Sequence, residues 1–328
     1  MKAVLLTGTG GAEVLRVGEA ERPVPRPDQV LIRVSATSVN RPDIIQRQGN
    51  YPPPPGESGI LGLEAAGTIE ELGAQVAGWQ VGDRVMSLVA GGGYAEYAAA
   101  YSSHLIAIPE TLSFEAAACV CETYITAFLN IFLIGGFKDG DSALLHGGGG
   151  GVNTAAIQLC RALAPSSTII VTASTAKLGR VEALGADLVI DYIAQDFVDA
   201  VHRYTEKRGV DLILDHIGAD YLTANMKALA VGGSLLLIGV MGGIKAELNL
   251  AVMMVKRQRI IGSVLRSRPV EEKARIIAEF TKSVVPLLAD RMIEPLVDQV
   301  FPLERVKEAH ETMERSGHFG KIVLAVAS

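Results

Sequence analysis

The 328-residue chain has few cysteines, few aromatic residues and no excess of positive charge. Its three cysteines are too few for the disulfide framework of a secreted protein, and they are more typical of a protein in a reducing compartment. Lysine and arginine number 30 against 36 acidic residues, which gives a net charge of −6, and aromatic residues make up only 5%. Nucleic-acid binding needs basic patches and stacking rings, so we expect no nucleic-acid partner.

Long hydrophobic runs are also missing. The longest apolar stretches, such as Leu235–Met241, fall far short of the roughly 20 residues that cross a bilayer. Residues Met1–Val17 show no basic region followed by an apolar core and a cleavage site, as a signal peptide would. We therefore expect a soluble, cytoplasmic globular protein with no membrane partner.

A change in the pattern of secondary structure along the chain predicts two domains. About the first 120 residues read as short strands broken by glycine and proline, such as Gly93–Ala99. From residue 123, short apolar runs alternate with helical patterns, which is typical of a doubly wound parallel sheet. We predict an α/β protein with a mostly β substrate domain over 1–122 and 267–328 and a Rossmann domain over 123–266.

Within the second domain, the apolar runs are the predicted strands. They lie at Ser142–His146, Thr168–Thr172, Leu188–Asp191, Val210–Asp215 and Ser234–Gly239. The intervening predicted helices include Val152–Leu163 and Ala176–Leu184. Two amphipathic helices, Val270–Ala289 and Leu303–Ser316, and a final strand, Lys321–Ala327, are expected to pack back onto the first domain.

Glycine is abundant, and five of the 35 glycines are consecutive, Gly147–Gly151. They follow a predicted strand and precede a predicted helix, a context in which backbone N–H groups can approach a pyrophosphate. In the usual spacing the third glycine of the motif falls at Asn153, so either the helix tilts or the amide caps the loop. The pattern predicts a dinucleotide site, with a structural turn as the alternative. The expected contacts are Gly148, Gly150, Gly151 and Val152.

The end of the second strand of this domain indicates which cofactor binds. A site that prefers NAD places a carboxylate roughly 20 residues after the glycines, and Val171–Arg180 contains none. The side chains of Ser174, Lys177 and Tyr192 suit a 2′-phosphate instead, through hydroxyl groups and an ammonium. We therefore expect NADPH, although Lys177 on a solvated helix face is the alternative.

Several segments together resemble one known family along almost the whole chain. They are Ser38–Asp43, Gln46–Pro53, Gly59–Glu64, Gly91–Tyr94, Thr126–Phe128, Asp211–Asp215, Leu265–Arg268 and Phe319–Val323. In their order and spacing they are similar to the zinc-independent quinone oxidoreductases (zeta-crystallin-like) of the medium-chain dehydrogenase/reductases. The resemblance implies a discontinuous GroES-like β domain, a Rossmann domain, NADPH as cofactor and a homodimer.

The resemblance also bears on metal binding. Zinc alcohol dehydrogenases of the superfamily hold their catalytic metal with Cys, His and Cys. By the motifs, those places are occupied here by Asn40, Leu63 and Glu122, and leucine cannot ligate zinc. The three cysteines are not spaced as a metal cluster either. We therefore expect no metal.

Without a metal, nothing stabilises the alkoxide of an alcohol, whereas a quinone or conjugated carbonyl accepts hydride and spreads the charge. By resemblance, Asn40 and Thr126 lie near the nicotinamide, and Ile217, Gly239 and Met241 are further expected cofactor contacts. Asn40 as a turn-capping amide is the alternative for that residue.

Tyr51 is the candidate catalytic donor to the substrate oxygen, because a neutral phenol can polarise a carbonyl. A ring packed against the neighbouring prolines is the alternative. Arg266 and Arg268 either line the cleft or pair across a subunit contact, and the sequence leaves both open. His146 is expected to support the glycine loop, and His104 and His310 to be surface or packing residues.

The leading hypothesis is an NADPH:quinone oxidoreductase that works by direct hydride transfer. An NADPH-dependent alkenal or enone double-bond reductase needs the same cofactor and a similar electrophile. A non-catalytic NADPH-binding protein, of the crystallin-like or RNA-binding kind, is the alternative from another class. The apolar segments Ser234–Met241 and Ile260–Leu265 suit an edge strand that pairs with its copy in a homodimer.

Overall fold

The structure, a computed structural model, describes residues 1–326. It divides into two compact units. Unit 1 contains Met1–Ile125 and the chain from Leu265 onward, and unit 2 contains Thr126–Val264. No helix within residues 1–326 is long and apolar enough to span a membrane.

Strands and helices are numbered in chain order. The strands are β1 (Lys2–Leu6), β2 (Leu15–Glu19), β3 (Gln29–Val39), β4 (Glu64–Leu72), β5 (Arg84–Leu88), β6 (Tyr97–Tyr101), β7 (Leu105–Ala107), β8 (Ser142–His146), β9 (Thr168–Ala173), β10 (Leu188–Asp191), β11 (Val210–Asp215), β12 (Leu229–Leu237), β13 (Arg259–Gly262), β14 (Val297–Pro302) and β15 (Lys321–Ala325). The helices are α1 (Arg41–Arg47), α2 (Phe114–Ala117), α3 (Thr123–Phe128), α4 (Gly151–Leu163), α5 (Leu178–Ala183), α6 (Phe197–Tyr204), α7 (Ala219–Ala228), α8 (Leu250–Lys256), α9 (Val270–Ala289) and α10 (Val306–Glu314).

Unit 1 is built on a seven-stranded sheet around the long strand β3. The order is β14-β15-β3-β4-β5-β7, with β6 also paired to β3. The last strand, β15, runs antiparallel to β3 and aligns Ile322 with Val39. A hydrophobic core that includes Val30, Ile32 and Ile322 packs against this sheet. The pairing therefore brings the C-terminal strand beside residues near position 40.

Unit 2 is a six-stranded parallel sheet in the order β10-β9-β8-β11-β12-β13. In chain order this is 3-2-1-4-5-6, the arrangement of a Rossmann domain. Strand β8 is buried along its whole length, as a central strand covered on both faces should be. The order reverses between β8 and β11, and a ligand is expected beyond the carboxyl ends of the strands at such a point. The predicted fold class is therefore confirmed.

Some element boundaries differ from the sequence prediction. The fifth Rossmann strand begins at Leu229 rather than Ser234. Its pairing with β11 shifts register between Leu229 and Ser234, and Gly232 has φ of +81°, so an irregular stretch joins the two parts of the strand. The strand expected at Gly93–Ala99 lies at Tyr97–Tyr101. A Cβ on Gly93 would lie 2.6 Å from the Glu64 carbonyl oxygen, so this part of the chain crosses β4 closely.

The ends of two further predicted elements also differ. Residues Thr175–Lys177 form a 3₁₀ turn ahead of α5, so the helix expected at Ala176–Leu184 is shorter. The last strand ends at Ala325, and Ala327 lies outside the described residues.

Candidate functional site

The glycine loop of unit 2 links β8 to α4 and is tightly packed. A Cβ on Gly148 would lie 2.4 Å from Cγ1 of Val171, and a Cβ on Gly149 would lie 2.4 Å from Cδ of Lys177. Gly147 has φ of +80°, a conformation that favours glycine. The loop therefore requires glycine, and the Lys177 side chain lies directly against it.

The backbone amides of the loop are used unequally. Gly148 N–H donates to the Thr172 carbonyl at 2.8 Å, and Gly150 N–H donates to the Gly147 carbonyl at 3.0 Å. Gly151 and Val152 open α4, and their N–H groups have no carbonyl partner within the helix because the first turn lacks one. Of the four predicted pyrophosphate contacts, these two are the amides suited to an anion.

Asn153 decides between the two possibilities left open by the sequence. Its Nδ2 donates to the carbonyl oxygens of His146 and Gly147. The amide therefore caps the loop in place of the third motif glycine. Its Oδ1 is buried and has no hydrogen-bond partner among the described residues.

A chain of buried hydrogen bonds supports the loop from below. His146 Nδ1 lies 3.1 Å from Thr172 Oγ1, and its Nε2 lies 2.7 Å from Asn225 Oδ1. Asn225 Nδ2 donates to Asp215 Oδ2 at 3.0 Å. Burial lowers the pKa of His146 to about 3, so its ring is neutral, and burial raises the pKa of Asp215 to about 6. His146 thus links the loop to the end of β11.

The turns after β11 and β12 lie against each other. Met241 N–H donates to the His216 carbonyl at 3.0 Å, and Gly242 N–H donates to the Ile217 carbonyl at 2.6 Å. A Cβ on Gly239 would lie 3.0 Å from the His216 carbonyl oxygen. The structure therefore brings the three predicted contacts Ile217, Gly239 and Met241 together at one edge of the sheet.

The predicted 2′-phosphate residues lie at the ends of β9 and β10. Tyr192 N–H donates to the Ala173 carbonyl at 3.2 Å, which places Tyr192 beside Ser174. Asp191, which the sequence reasoning did not use, accepts from Thr175 Oγ1 at 2.6 Å and from Ile193 N–H at 3.0 Å. The Thr175 hydroxyl and the two following backbone N–H groups hold the pKa of Asp191 below its usual value. Only the pairing of β9 with β10 reveals this neighbour.

In unit 1, a buried ion pair fixes Asn40. Lys321 Nζ lies 3.1 Å from Glu64 Oε1, and both side chains are almost fully buried. Asn40 Nδ2 donates to Glu64 Oε1 at 2.9 Å, while Asn40 Oδ1 accepts from Lys321 Nζ. Hydrogen bonds therefore hold both the nitrogen and the oxygen of the Asn40 side-chain amide, and together they fix its orientation. Sequence reasoning missed Lys321, because it lies 281 residues from Asn40.

Tyr51 lies beside Arg266. The guanidinium carbon of Arg266 is 5.2 Å from the centroid of the Tyr51 ring. The phenol is partly buried, and this burial raises its pKa, so it keeps its proton at neutral pH. Burial, followed by the charge of Glu64, raises the pKa of Glu122 to about 8. Tyr51 and Glu122 are thus both protonated donors near neutral pH.

Thr126, His104 and His310 are the remaining residues that the sequence singled out. Thr126 belongs to unit 2, where its carbonyl accepts from Asn130 Nδ2 at 2.8 Å. His104 is buried beside the Val270 carbonyl, and His310 is buried between Tyr94 and Arg47. Of the two roles expected for these histidines, surface or packing, the structure therefore shows packing for both.

The positions that hold zinc in related dehydrogenases offer no ligand set. Leu63 is buried, and the amide of Asn40 is engaged by Glu64 and Lys321. Within residues 1–326, no group of three or more His, Cys, Asp or Glu side chains could hold a metal ion. The three cysteines are buried and free, and burial raises the pKa of each thiol.

Comparisons with known proteins give consistent matches. A family model for the alcohol dehydrogenase GroES-like domain matches residues 26–110, and one for a zinc-binding dehydrogenase matches residues 184–324. The quinone oxidoreductase of Homo sapiens is 33% identical over 328 residues, covering 99% of this chain and 97% of that protein.

Two solved structures are similar over nearly their full length. The Escherichia coli quinone oxidoreductase, complexed with NADPH, has a TM-score of 0.88 and 26% identity, with 99% of this chain and 100% of that chain covered. An NAD-dependent alcohol dehydrogenase has a TM-score of 0.88 and 31% identity, with both chains covered completely. With the sheet order, the glycine loop and these relatives established, the chain belongs to the zinc-independent quinone oxidoreductase family of the medium-chain dehydrogenase/reductases.

Proposed function

We propose that this oxidoreductase uses NADPH to reduce a quinone, by direct hydride transfer and without a metal. The observation that carries the proposal is the Lys177 side chain lying against Gly149, with Ser174 and Tyr192 on the neighbouring strand ends. An ammonium at this place suits the extra phosphate of NADPH. The NADPH-bound relative of similar fold and the full-length quinone oxidoreductase relative support the same choice.

Each group of residues has a separate role toward the cofactor. The amides of Gly151 and Val152 lie in the first turn of α4, the end of a helix at which a pyrophosphate is favoured. Ile217, Gly239 and Met241 form the paired turns proposed for the nicotinamide half. The bound cofactor supplies the hydride, and the protein supplies placement and electrostatics.

Toward the substrate, Asn40 is held rigidly and Tyr51 is the proposed donor. Hydride addition to a conjugated carbonyl leaves negative charge on an oxygen, and a neutral phenol donates to that oxygen without repelling it. A saturated alcohol needs a Lewis acid to stabilise its alkoxide, and Asn40, Leu63 and Glu122 do not form a zinc site. The residues therefore favour an acceptor that is already conjugated.

The proposal is tested by steady-state assays of the purified chain with NADPH. A 1,4-naphthoquinone is expected to be reduced faster than an unsaturated aldehyde, and Tyr51→Phe to slow quinone reduction. A much faster aldehyde would replace the proposal with an alkenal reductase. Cofactor binding without oxidation by either acceptor would indicate a non-catalytic binding protein.

We predict that chelation leaves the activity unchanged. Overnight dialysis against EDTA should alter neither quinone reduction nor the thermal midpoint, because the positions used by zinc relatives carry Asn40, Leu63 and Glu122. Elemental analysis of the purified protein should give far less than one zinc per chain. Stoichiometric zinc, or loss of activity that added zinc restores, would contradict this expectation.

We also propose that the protein is a cytoplasmic homodimer. Strand β13 pairs with β12 on one side and forms the edge of its sheet on the other. The preceding helix α8 exposes Leu250, Met254 and Val255, at 65%, 74% and 77% of their surface. A second copy would cover both features. Sedimentation equilibrium is expected to give twice the chain mass, and a monomer at micromolar concentration would rule the dimer out.

A further inference from the structure

Arg266 in unit 1 is a buried cation with an unused donor. Only 5% of its surface is exposed. Its Nε donates to the Ala90 carbonyl at 2.8 Å, and its Nη1 lies 3.5 Å from the Tyr51 carbonyl. Nη2 is buried and has no hydrogen-bond partner among the described residues. An unsatisfied donor on a desolvated charge is costly, so the site is expected to serve a ligand.

No carboxylate of residues 1–326 forms an ion pair with Arg266. Asp43, Glu57 and Glu122 act on it only through space. Asp43 already accepts from the N–H groups of Asn40 and Gly62, which occupies its oxygens. The guanidinium charge is therefore not neutralised by a bonded partner within the protein.

Tyr51, Glu122 and Lys273 add hydrogen-bond donors around Arg266. The Tyr51 hydroxyl makes no hydrogen bond to any described residue, and its ring lies under the guanidinium. Glu122 keeps its proton near neutral pH, because burial raises its pKa to about 8. Lys273 Nζ donates to the Arg266 carbonyl at 3.3 Å, which adds a second cation and fixes the backbone. The cluster offers N–H and O–H groups to an acceptor oxygen that carries negative charge.

We propose that Arg266 is a catalytic residue that binds the acceptor oxygen of the substrate and stabilises the negative charge that develops on it. This inference rests on the proposed function. Addition of hydride, with its two electrons, turns a quinone into a hydroquinone monoanion. The charge then rests on an oxygen, where Nη2 supplies the hydrogen bond it lacks in the free protein. One proton, from Tyr51 or water, completes the hydroquinone, and water restores the phenol.

The substrate class follows from this arrangement. A preorganised cation in a site shielded from water acts most strongly on an oxygen that gains charge in the transition state. Conjugated diketones and enones gain such charge, whereas an oxygen that stays neutral gains little. Arg266 is therefore expected to affect turnover more than ground-state binding of the quinone.

The kinetic test compares Arg266→Met with Arg268→Met. Arg268 lies two residues away, and its guanidinium pairs with Glu272 instead. We expect Arg266→Met to lower kcat/KM for 1,4-naphthoquinone by about 100-fold, mainly through kcat, and Arg268→Met to stay near the wild type. Arg266→Lys should recover part of the loss because it keeps the charge. Equal kcat/KM values for the two methionine variants would overturn the proposal.

The second test needs no cofactor and no turnover. 4-Nitrophenol, a conjugated phenol whose anion absorbs visible light, is titrated with pH on the free protein. The wild type and Arg268→Met should lower the apparent pKa of the bound phenol by about one unit, and Arg266→Met should not. The same ionisation on Arg266→Met, or none on the wild type, would overturn the inference. An Arg266-dependent shift in a protein that fails to reduce quinones would keep the anion site and reject the proposed function.

Folding of the variants is checked separately. The thermal midpoint of Arg266→Met is expected to change little, because losing the hydrogen bond to the Ala90 carbonyl offsets the removal of a buried cation with an unmade hydrogen bond. If Arg266→Met nevertheless does not fold, Arg266→Lys and Arg266→Gln replace it in the kinetic assay and in the phenol titration. A glutamine variant that ionises the phenol as the wild type does would then overturn the proposal.

Discussion

Replacing Lys321 with methionine should lower the free energy of unfolding by about 3–5 kcal/mol. Lys321 and Glu64 are buried together, with Nζ 3.1 Å from Oε1. Removing the lysine leaves a buried carboxylate without its counter-charge, which is far more costly than losing an exposed ion pair. Urea-induced unfolding followed by circular dichroism measures the change.

An exposed pair of the same chemistry provides the control. Lys2 Nζ lies 2.8 Å from Glu304 Oε1, with about half of each side chain exposed. Lys2→Met should cost far less than Lys321→Met, because solvent screens the exposed pair. The double variant Lys321→Met/Glu64→Gln should recover much of the loss, because a neutral amide then replaces the carboxylate that had lost its counter-charge. A Lys321→Met protein as stable as Lys2→Met would show that the buried pair contributes little.

The Lys177→Ala variant should weaken NADPH binding by about 10- to 100-fold and leave NADH binding nearly unchanged. The two cofactors differ only in the 2′-phosphate, and the Lys177 ammonium is the proposed partner of that phosphate. Titration of the protein fluorescence with each nucleotide measures both dissociation constants on one sample. The ratio of the two constants is the informative quantity.

Arg203→Ala is the matched control, because it removes one positive charge from the exposed surface of α6 in the same unit. It should change neither constant. Equal losses for NADPH and NADH in Lys177→Ala would remove the assignment of the 2′-phosphate to Lys177. Asp191→Asn adds a further comparison. If NADH binding fell most in that variant, the carboxylate at the end of β10 would be serving a ribose hydroxyl.

Local patterns in the sequence were sufficient for most of unit 2. Alternating apolar runs and helices predicted β8, β10 and β11 with their observed bounds, because a strand buried on both faces must be apolar throughout. The glycine run predicted the loop between β8 and α4, since a close backbone approach excludes side chains. These features depend on neighbours along the chain, so they are readable without a tertiary structure.

Contacts between distant segments could not be predicted in this way. The C-terminal strand β15 brings Lys321 to Asn40, and the neighbouring strands β9 and β10 bring Asp191 to Thr175. The unused nitrogen of Arg266 appears only when Ala90 and Tyr51 are packed around it. In each case the chemistry depends on which groups share a buried space.

The sequence by itself determined the two kinds of domain and the presence of a glycine loop, because strand periodicity and backbone freedom are local properties. It indicated the family through the resemblance of its motifs to those of known proteins. The tertiary structure alone decided which amides of that loop keep a free donor, how Asn40 is held and that Nη2 of Arg266 makes no hydrogen bond to the described residues. Burial and hydrogen bonding are properties of the assembled fold, and they set the charge and the unmet hydrogen bonds of each group.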